Sequence, residues 1–169
     1  SNKFNISHDV LSATPTFTTT TLPISMSSGD IAISSVDTNL IFIIEGVKIY
    51  RSTDGGGSFV DITGSVTGGP SKIFLDDYSG DVGLYVATTS GVFYRNNTMT
   101  NWVNYSGALP TIASINDIMY FNDGGADARI FVSYYGRGVW ETDLENPHTC
   151  ATPAIASTTF SGSNVMVNW

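Results

Sequence analysis

The sequence has little charge, a single cysteine and no long apolar run. Of its 169 residues only 13% are charged, and 7 Lys and Arg stand against 15 Asp and Glu, which gives a net charge of -8. Nucleic acid and anionic membrane surfaces are bound by clustered basic residues, so neither is an expected partner. A run of 18 apolar residues, the minimum for a membrane-spanning helix, is also missing.

Cys150 is the only cysteine, so the chain has no internal disulfide, and its spacing from His8 and His148 is not that of a metal site. We therefore expect no metal and no cofactor. In an oxidising compartment the thiol partner of Cys150 is expected beyond Trp169. No signal peptide is visible, so either it has been removed or the chain is an internal piece of a longer protein.

What the sequence does have is a set of strand-like segments. The composition, 41% hydrophobic with 12% aromatic residues, is sufficient for a packed core. Short apolar runs end at glycine, other segments alternate apolar and polar residues, and no ten-residue stretch shows helical spacing with a cap. The pattern predicts an all-β fold with runs such as LIFIIEG, LYVATTSG and IFVSYYGRG as buried or half-buried strands.

The strand-like segments recur with a period. Gly-Val pairs at residues 46, 91 and 138 each open a segment, and the openings lie 45 and 47 residues apart. An apolar run precedes each opening, an alternating segment precedes each run, and FVDITGSV and WVNYSGAL follow the first two openings. One order of four short strands is thus used about three times.

Four antiparallel strands in about 45 residues are typical of a β-propeller blade. Because propellers have about 4–8 blades, the chain is expected to hold about three four-stranded blades of a larger propeller. Residues 16–24 are expected to form a fourth, outer strand ahead of the first full blade. Either further blades precede residue 1, which we favour, or this strand closes the last blade as a molecular clasp.

Residues 52–59, STDGGGSF, fit the pattern Ser-x-Asp-x-Gly-x-x-aromatic. This pattern resembles the Asp-box, or bacterial neuraminidase repeat, of sialidases, many glycoside hydrolases and sortilin-like receptors. The resemblance implies a turn between the third and fourth strands of a blade, with Ser52, Asp54, Gly56 and Phe59 in structural roles. Asp54 is expected to accept backbone N–H groups, Gly56 to adopt a positive φ, and Phe59 to anchor the loop.

Residues 96–102, NNTMTNW, lack the Asp and Gly of the box but retain the closing aromatic residue, Trp102. We interpret them as a degenerate box on the equivalent turn. Arg51 and Arg95 match each other in the repeat and are expected to cover neighbouring strands and turns. We interpret the Asp- and Gly-rich segments around Asp76-Asp77 as ordinary turns and not as a calcium site, because the spacing of their carboxylates is not that of a calcium-binding loop.

No catalytic residue is predicted. A glycosidase needs two carboxylates that face one sugar bond, and no such pair can be named. The two histidines lie outside the clear repeats, so a Ser-His-Asp arrangement has no support either.

The chain changes character after residue 144. Residues 145–152 read as a Pro-containing linker, and residues 153–169 resemble the first two strands of a fibronectin type III domain, opened by Pro153 and with Trp169 in its core. The expected domains are a propeller segment over 1–144, the linker, and an incomplete β-sandwich. This combination resembles large secreted or surface proteins of Bacteroidetes-type bacteria, many of which leave the cell by type IX secretion.

Two functions are consistent with these features. The favoured one is a non-catalytic propeller segment of a secreted or cell-surface protein, with a scaffold, adhesion, or carbohydrate- or protein-binding role. The other is the C-terminal part of a propeller glycoside hydrolase whose catalytic residues lie upstream. The expected partners are a glycan or surface protein, and further blades or a partner molecule that cover apolar second-strand residues, namely Ile41, Ile43, Leu84, Val86, Ile130 and Val132.

Overall fold

The computed structural model describes residues 3–22, 29–78, 80–107, 109–110, 114–121 and 128–145, and the backbone of residues 157–161 and 164–168. These residues form strands and turns, and none of them is helical. The predicted all-β class is therefore confirmed. Within this described part of the chain, no helix offers the length and hydropathy needed to cross a membrane.

Every paired strand is antiparallel, and strands adjacent in sequence are neighbours in each sheet. The N-terminal hairpin contains β1 (Lys3–Ile6) and β2 (Thr18–Thr21). The first sheet contains β3 (Ile31–Ile33), β4 (Ile41–Glu45), β5 (Lys48–Ser52) and β6 (Val60–Asp61). The second sheet contains β7 (Pro70–Asp76), β8 (Gly83–Thr88), β9 (Gly91–Arg95) and β10 (Val103–Asn104). The third sheet contains β11 (Ile115–Phe121), β12 (Arg129–Tyr134) and β13 (Gly138–Asp143).

The three sheets stack in sequence order. Phe42 and Ile44 of the first sheet belong to one apolar cluster with Leu84 and Val86 of the second. The other face of β8 carries Tyr85 and Ala87, which cluster with Ile130 and Val132 of the third sheet. We call the face of a sheet that points toward the following sheet its front face, and the opposite face its back face. The front face of the first sheet packs on the back face of the second, and the front face of the second packs on the back face of the third. β4 and β8 are buried on both faces, which explains why they read as continuous apolar runs.

The back face of the first sheet is covered as well, because the N-terminal hairpin lies against it. Ile41 and Ile43 are fully buried in a cluster with Phe4, Ile6 and Leu22. The expectation that these two isoleucines need a cover from outside the chain is wrong. It is also wrong for Leu84 and Val86, which pack on the first sheet, and for Ile130 and Val132, which pack on the second. The molecular-clasp arrangement is not formed in the described residues either, since the strand at residues 18–21 pairs with β1 and is not part of the third sheet.

The hairpin turns a polar surface outward. Lys3 and Asn5 of β1 lie opposite Thr21 and Thr19 of β2, all four are exposed, and Thr19 Oγ1 donates to Asn5 Oδ1 at 2.6 Å.

The third sheet is open on its front face. Cross-strand pairing places Met119, Phe131, Phe121 and Val139 on one surface, and Met119, Phe121 and Val139 are more than half exposed. We call this surface the open face. In the described residues the third sheet has three strands, without an equivalent of β6 or β10.

The C-terminal segment contains β14 (Ser157–Ser161) and β15 (Asn164–Asn168), which pair antiparallel. The expected linker lies outside the described residues except for Glu145, whose N–H donates to Tyr85 Oη at 2.9 Å. Cys150, Pro153 and Trp169 also lie outside them, as does His148.

Candidate functional site

The turn at residues 52–59 joins the third and fourth strands of the first sheet. Asp54 is its hub: Oδ1 accepts from Ser52 Oγ at 2.8 Å and from the Ser58 N–H at 2.8 Å, and Oδ2 accepts from Ser58 Oγ at 2.7 Å. Ser52 Oγ in turn accepts the Gly56 N–H at 2.9 Å. Short side chains therefore satisfy the backbone of the loop, as the sequence predicts for Asp54.

These hydrogen bonds define what the Asp54 carboxylate can do chemically. The Ser58 hydroxyl and N–H, followed by the Ser52 hydroxyl, lower the pKa of Asp54 from 3.8 to about 2. A carboxylate that is ionised and already engaged by three donors is a poor proton acceptor at neutral pH. The geometry is that of a structural hub.

The loop is anchored on the N-terminal hairpin. Gly56 has φ +88°, and a Cβ at this position would come within 2.8 Å of Phe4 Cε1. Phe59 meets Phe4 edge to face, with ring centroids 5.4 Å apart, and packs on Ile41 and Ile43. Only glycine fits here without strain, which explains the glycine that the sequence places at residue 56.

A second turn with the same hydrogen bonds lies at residues 7–17, where the sequence interpretation did not find one. Ser7 Oγ donates to Asp9 Oδ1 at 2.8 Å, the Thr16 N–H donates to Asp9 Oδ1 at 2.9 Å, and Thr16 Oγ1 donates to Asp9 Oδ2 at 2.9 Å. Ser7, Asp9 and Thr16 thus correspond to Ser52, Asp54 and Ser58. The same donors lower the pKa of Asp9, the Thr16 N–H first.

The signal for this second turn is a separation of 45 residues. Ser7 and Asp9 precede Ser52 and Asp54 by 45 positions each, which is the period of the repeat. A sequence pattern with fixed spacing does not find this turn, because Asp9 and Thr16 are seven residues apart whereas Asp54 and Ser58 are four apart. The longer loop also contains no glycine. The N-terminal hairpin therefore corresponds to the third and fourth strands of a repeat.

The turn at residues 96–102 keeps part of the arrangement. Asn96 Oδ1 accepts both the Thr98 N–H at 3.0 Å and Thr98 Oγ1 at 2.8 Å. Trp102 is buried, and its Nε1 donates to the Ile62 carbonyl at 2.7 Å. Trp102 here, like Phe59 in the turn at residues 52–59, contacts the preceding element of the stack.

Within the acidic pair Asp76-Asp77, Asp77 bonds to a loop of the first sheet, whereas Asp76 bonds within its own turn. Asp77 Oδ2 accepts from Ser35 N and Ser35 Oγ, and Asp76 Oδ1 accepts the Tyr78 N–H at 3.1 Å. Throughout the described residues, no three His, Cys, Asp or Glu side chains converge as metal ligands.

Arg51 and Arg95 both line a narrow cleft between the first and second sheets, whose other lining residues are Phe42, Ile62, Val82, Leu84, Asn96 and Asn97. Arg51 lies opposite Phe42 in the ladder and Arg95 lies opposite Leu84, so both stand at the interface of the two sheets. Both side chains are partly buried.

The comparisons with known proteins add no relative. No family model matches this sequence, and no curated protein is similar to it at a significant level.

Replacing Asp54 with asparagine is expected to lower the midpoint of thermal unfolding at neutral pH and to flatten its dependence on pH. The folded pKa of Asp54 lies below the ordinary value, so its stabilisation is present above about pH 4 and is lost as the pH falls to about 2. Thermal melts between pH 6 and pH 2 measure both effects. Asp9→Asn should act in the same direction, because Asp9 accepts the equivalent hydrogen bonds in its own turn.

The control for this prediction is Asp143→Asn, which changes an exposed carboxylate at the end of β13. We expect it to leave the midpoint nearly unchanged. An Asp54→Asn protein that melts normally but loses affinity for a ligand would show that Asp54 contacts that ligand instead of holding its turn.

Proposed function

We propose that this chain is a non-catalytic segment of a β-propeller that belongs to a secreted or cell-surface multidomain protein, with a scaffold or adhesion role. The observation that carries the proposal is the stacking of two four-stranded sheets and one three-stranded sheet, all antiparallel, front face on back face, at a period near 45 residues. The turns at residues 52–59 and 7–17 support it, since their shared hydrogen bonds match the structural role that the Asp-box resemblance implies.

The N-terminal hairpin supports the view that more than three repeats are involved. Phe4 and Ile6 of the hairpin pack on the back face of the first sheet. In the later repeats, β5 packs on the second sheet and β9 on the third in the same way. Phe17, which closes the turn at residues 7–17, is 65% exposed, whereas Phe59 and Trp102 each pack on the preceding element. A preceding sheet of the same repeat would bury Phe17.

The open face supports the same proposal from the other end of the stack. The equivalent faces of the first and second sheets are covered by the back face of the next sheet. We propose that a further sheet of the same repeat, supplied by the longer parent chain, covers Met119, Phe121 and Val139 in the same way. Each such side chain that becomes buried contributes on the order of 1.5–3 kcal/mol.

The experiment compares residues 1–169 with a variant in which Met119 and Phe121 are both lysine. We expect the unmodified chain to self-associate in analytical ultracentrifugation and to bind a hydrophobic dye, because the open face lacks its cover. The double lysine variant should be monomeric and bind less dye. The matched control is Tyr135→Lys, which removes a 79% exposed aromatic residue that lies in the turn before β13.

Three results would contradict the proposal. A wild-type chain that is monomeric and binds no dye would show that the open face needs no further sheet. Hydrolysis of chromogenic glycosides by the parent protein would show that it is an enzyme. Labelling of intact cells with a membrane-impermeant reagent tests the surface location, and a parent protein that is labelled only after lysis would contradict it.

A further inference from the structure

The N-terminal hairpin covers the back face of the first sheet at β4, whereas β3 on the same face is left open. Ile31 lies opposite Ile43 in the ladder, and Ile33 lies two residues further along β3, so both side chains point to this back face. Ile43 is 1% exposed, whereas Ile31 is 47% and Ile33 is 51% exposed. We call Ile31 and Ile33 the β3 patch.

In the later sheets the same position is covered by the sheet before it. Ile73 of β7 and Ile118 of β11 occupy the ladder position of Ile31, and each of them is 7% exposed. Ile73 clusters with Phe42 and Ile44 of β4. Ile118 clusters in the same way with residues of β8. The second strand of each sheet therefore contributes to the cover of the first strand in the next sheet.

The N-terminal hairpin has no such second strand in the described part of the chain. β1 is the counterpart of β5, because the turn that follows β1 repeats the turn after β5 at a distance of 45 residues. β5 pairs with β4 along one edge and with β6 along the other, whereas β1 pairs only with β2 among the described strands. The second edge of β1 therefore offers backbone N–H and C=O groups to which another strand can bind.

We propose that a β-strand of the parent chain, N-terminal to residue 1, pairs with this edge of β1 and covers the β3 patch. The strand is the counterpart of β4 and β8, so the inference rests on the proposed propeller. Its residues opposite Phe4 and Ile6 point to the patch, because directly opposite residues share a face of the sheet, and we expect both to be apolar. The corresponding residues are Phe42 and Ile44 in β4 and Tyr85 and Ala87 in β8.

The position of the patch favours a strand of the same chain over a second molecule. The patch is continuous with an interface that already exists, since it adjoins Ile41 and Ile43, which the hairpin covers. The hairpin of β4 and β5 closes with two residues between Glu45 and Lys48, and Lys3 corresponds to Lys48. A turn of that length would place the covering strand directly ahead of β1, where closing the connection costs little entropy.

The test compares cysteine labelling in residues 1–169 and in the parent protein. Ile33→Cys places a thiol on the β3 patch, and Val60→Cys, at a 65% exposed position of β6, is the matched control. A water-soluble maleimide should label Ile33→Cys readily in residues 1–169 and at least about tenfold more slowly in the parent protein, because labelling then requires local opening. Val60→Cys should react equally in both, and peptide mass spectrometry separates these labels from that of Cys150.

Hydrogen exchange measures the same contact without a substitution. The amide groups of Lys3–Ile6 that lie on the second edge of β1 should exchange at least about tenfold more slowly in the parent protein than in residues 1–169. The amides of Thr18–Thr21 serve as the internal control. β2 is the counterpart of the outer strand β6, so its exchange should change less.

Three results would overturn the proposal. One is equal labelling of Ile33→Cys, with equal exchange of the β1 amides, in the parent protein and in residues 1–169. Another is protection of Ile33→Cys in residues 1–169 that rises with protein concentration, which would assign the patch to a second copy. The third is a parent sequence with charged residues at both positions that face the patch.

Met119→Cys on the open face separates this inference from the proposed function. If the parent protein protects Met119→Cys but not Ile33→Cys, a further sheet covers the open face and only the strand beside β1 is rejected. If it protects neither position, the proposed propeller is rejected together with the strand.

Discussion

Replacing Tyr85 with alanine is expected to lower the free energy of unfolding by about 3–5 kcal/mol, the range for removing a large aromatic side chain from a packed core. Tyr85 is fully buried on β8, where the second and third sheets meet. Its ring lies 4.9 Å from that of Tyr94, 5.4 Å from that of Tyr105 and 5.9 Å from that of Phe74. Equilibrium denaturation in urea measures the loss.

Tyr85→Phe is the matched control, because it keeps the ring and removes only the oxygen that accepts the Glu145 N–H. We expect it to cost about 0.5–1.5 kcal/mol. Equal losses of unfolding free energy in Tyr85→Ala and Tyr85→Phe would show that the packing of the second sheet on the third does not depend on the aromatic cluster.

Deleting residues 1–22 is expected to destabilise the remaining chain by about 3–6 kcal/mol. The deletion removes the N-terminal hairpin and leaves Ile41 and Ile43 in water, and each of these two side chains contributes roughly 1.5–3 kcal/mol when buried. Since a domain is stable by only about 5–15 kcal/mol, the shortened chain should unfold at much lower denaturant concentration or self-associate.

A double substitution tests the same contact if the deleted chain does not fold. Phe4→Ser with Ile6→Ser removes the apolar side of the hairpin, whereas Asn5→Ser with Thr19→Ser alters its polar side. We expect a clear loss of stability from the first pair and a change within about 0.5 kcal/mol from the second. Equal effects from both pairs would contradict the covering role of the hairpin.

The position of the hairpin changes how the turns are interpreted. In the turn at residues 52–59 the closing aromatic residue, Phe59, packs on the preceding element, and Trp102 contacts the preceding element through the Ile62 carbonyl. These turns therefore couple one repeat to the one before it, in addition to closing their own strands. This explains why Asp54 is expected to affect stability, and why no catalytic role is needed to account for its hydrogen bonds.

The sequence by itself determined the strands and the chemistry of the principal turn. Apolar runs ending at glycine located β4, β8 and β12. In β4 and β8 successive residues are apolar because both faces of these strands are buried. The hydrogen-bonding role of Asp54 and the positive φ of Gly56 followed from residue type alone, since both depend on interactions within a few residues.

The turn at residues 7–17 required the structure. Its hydrogen bonds reproduce those of the turn at residues 52–59 although the loop between Asp9 and Thr16 is three residues longer. A pattern with fixed spacing compares residues along the chain, whereas the carboxylate only needs its donors close in space. Local sequence therefore could not reveal that the first 22 residues contain half of a repeat.

The register of the strands and the neighbours of each face were decided only by the tertiary structure. The shared Tyr-Arg pairs at residues 50–51 and 94–95 suggested equivalent positions, but the hairpins place Arg51 and Arg95 on opposite faces of their sheets. A shift of one residue reverses the direction of a side chain. The cover of Ile41 and Ile43 is likewise a long-range contact, formed by residues more than 30 positions away in the chain, Phe4 and Ile6.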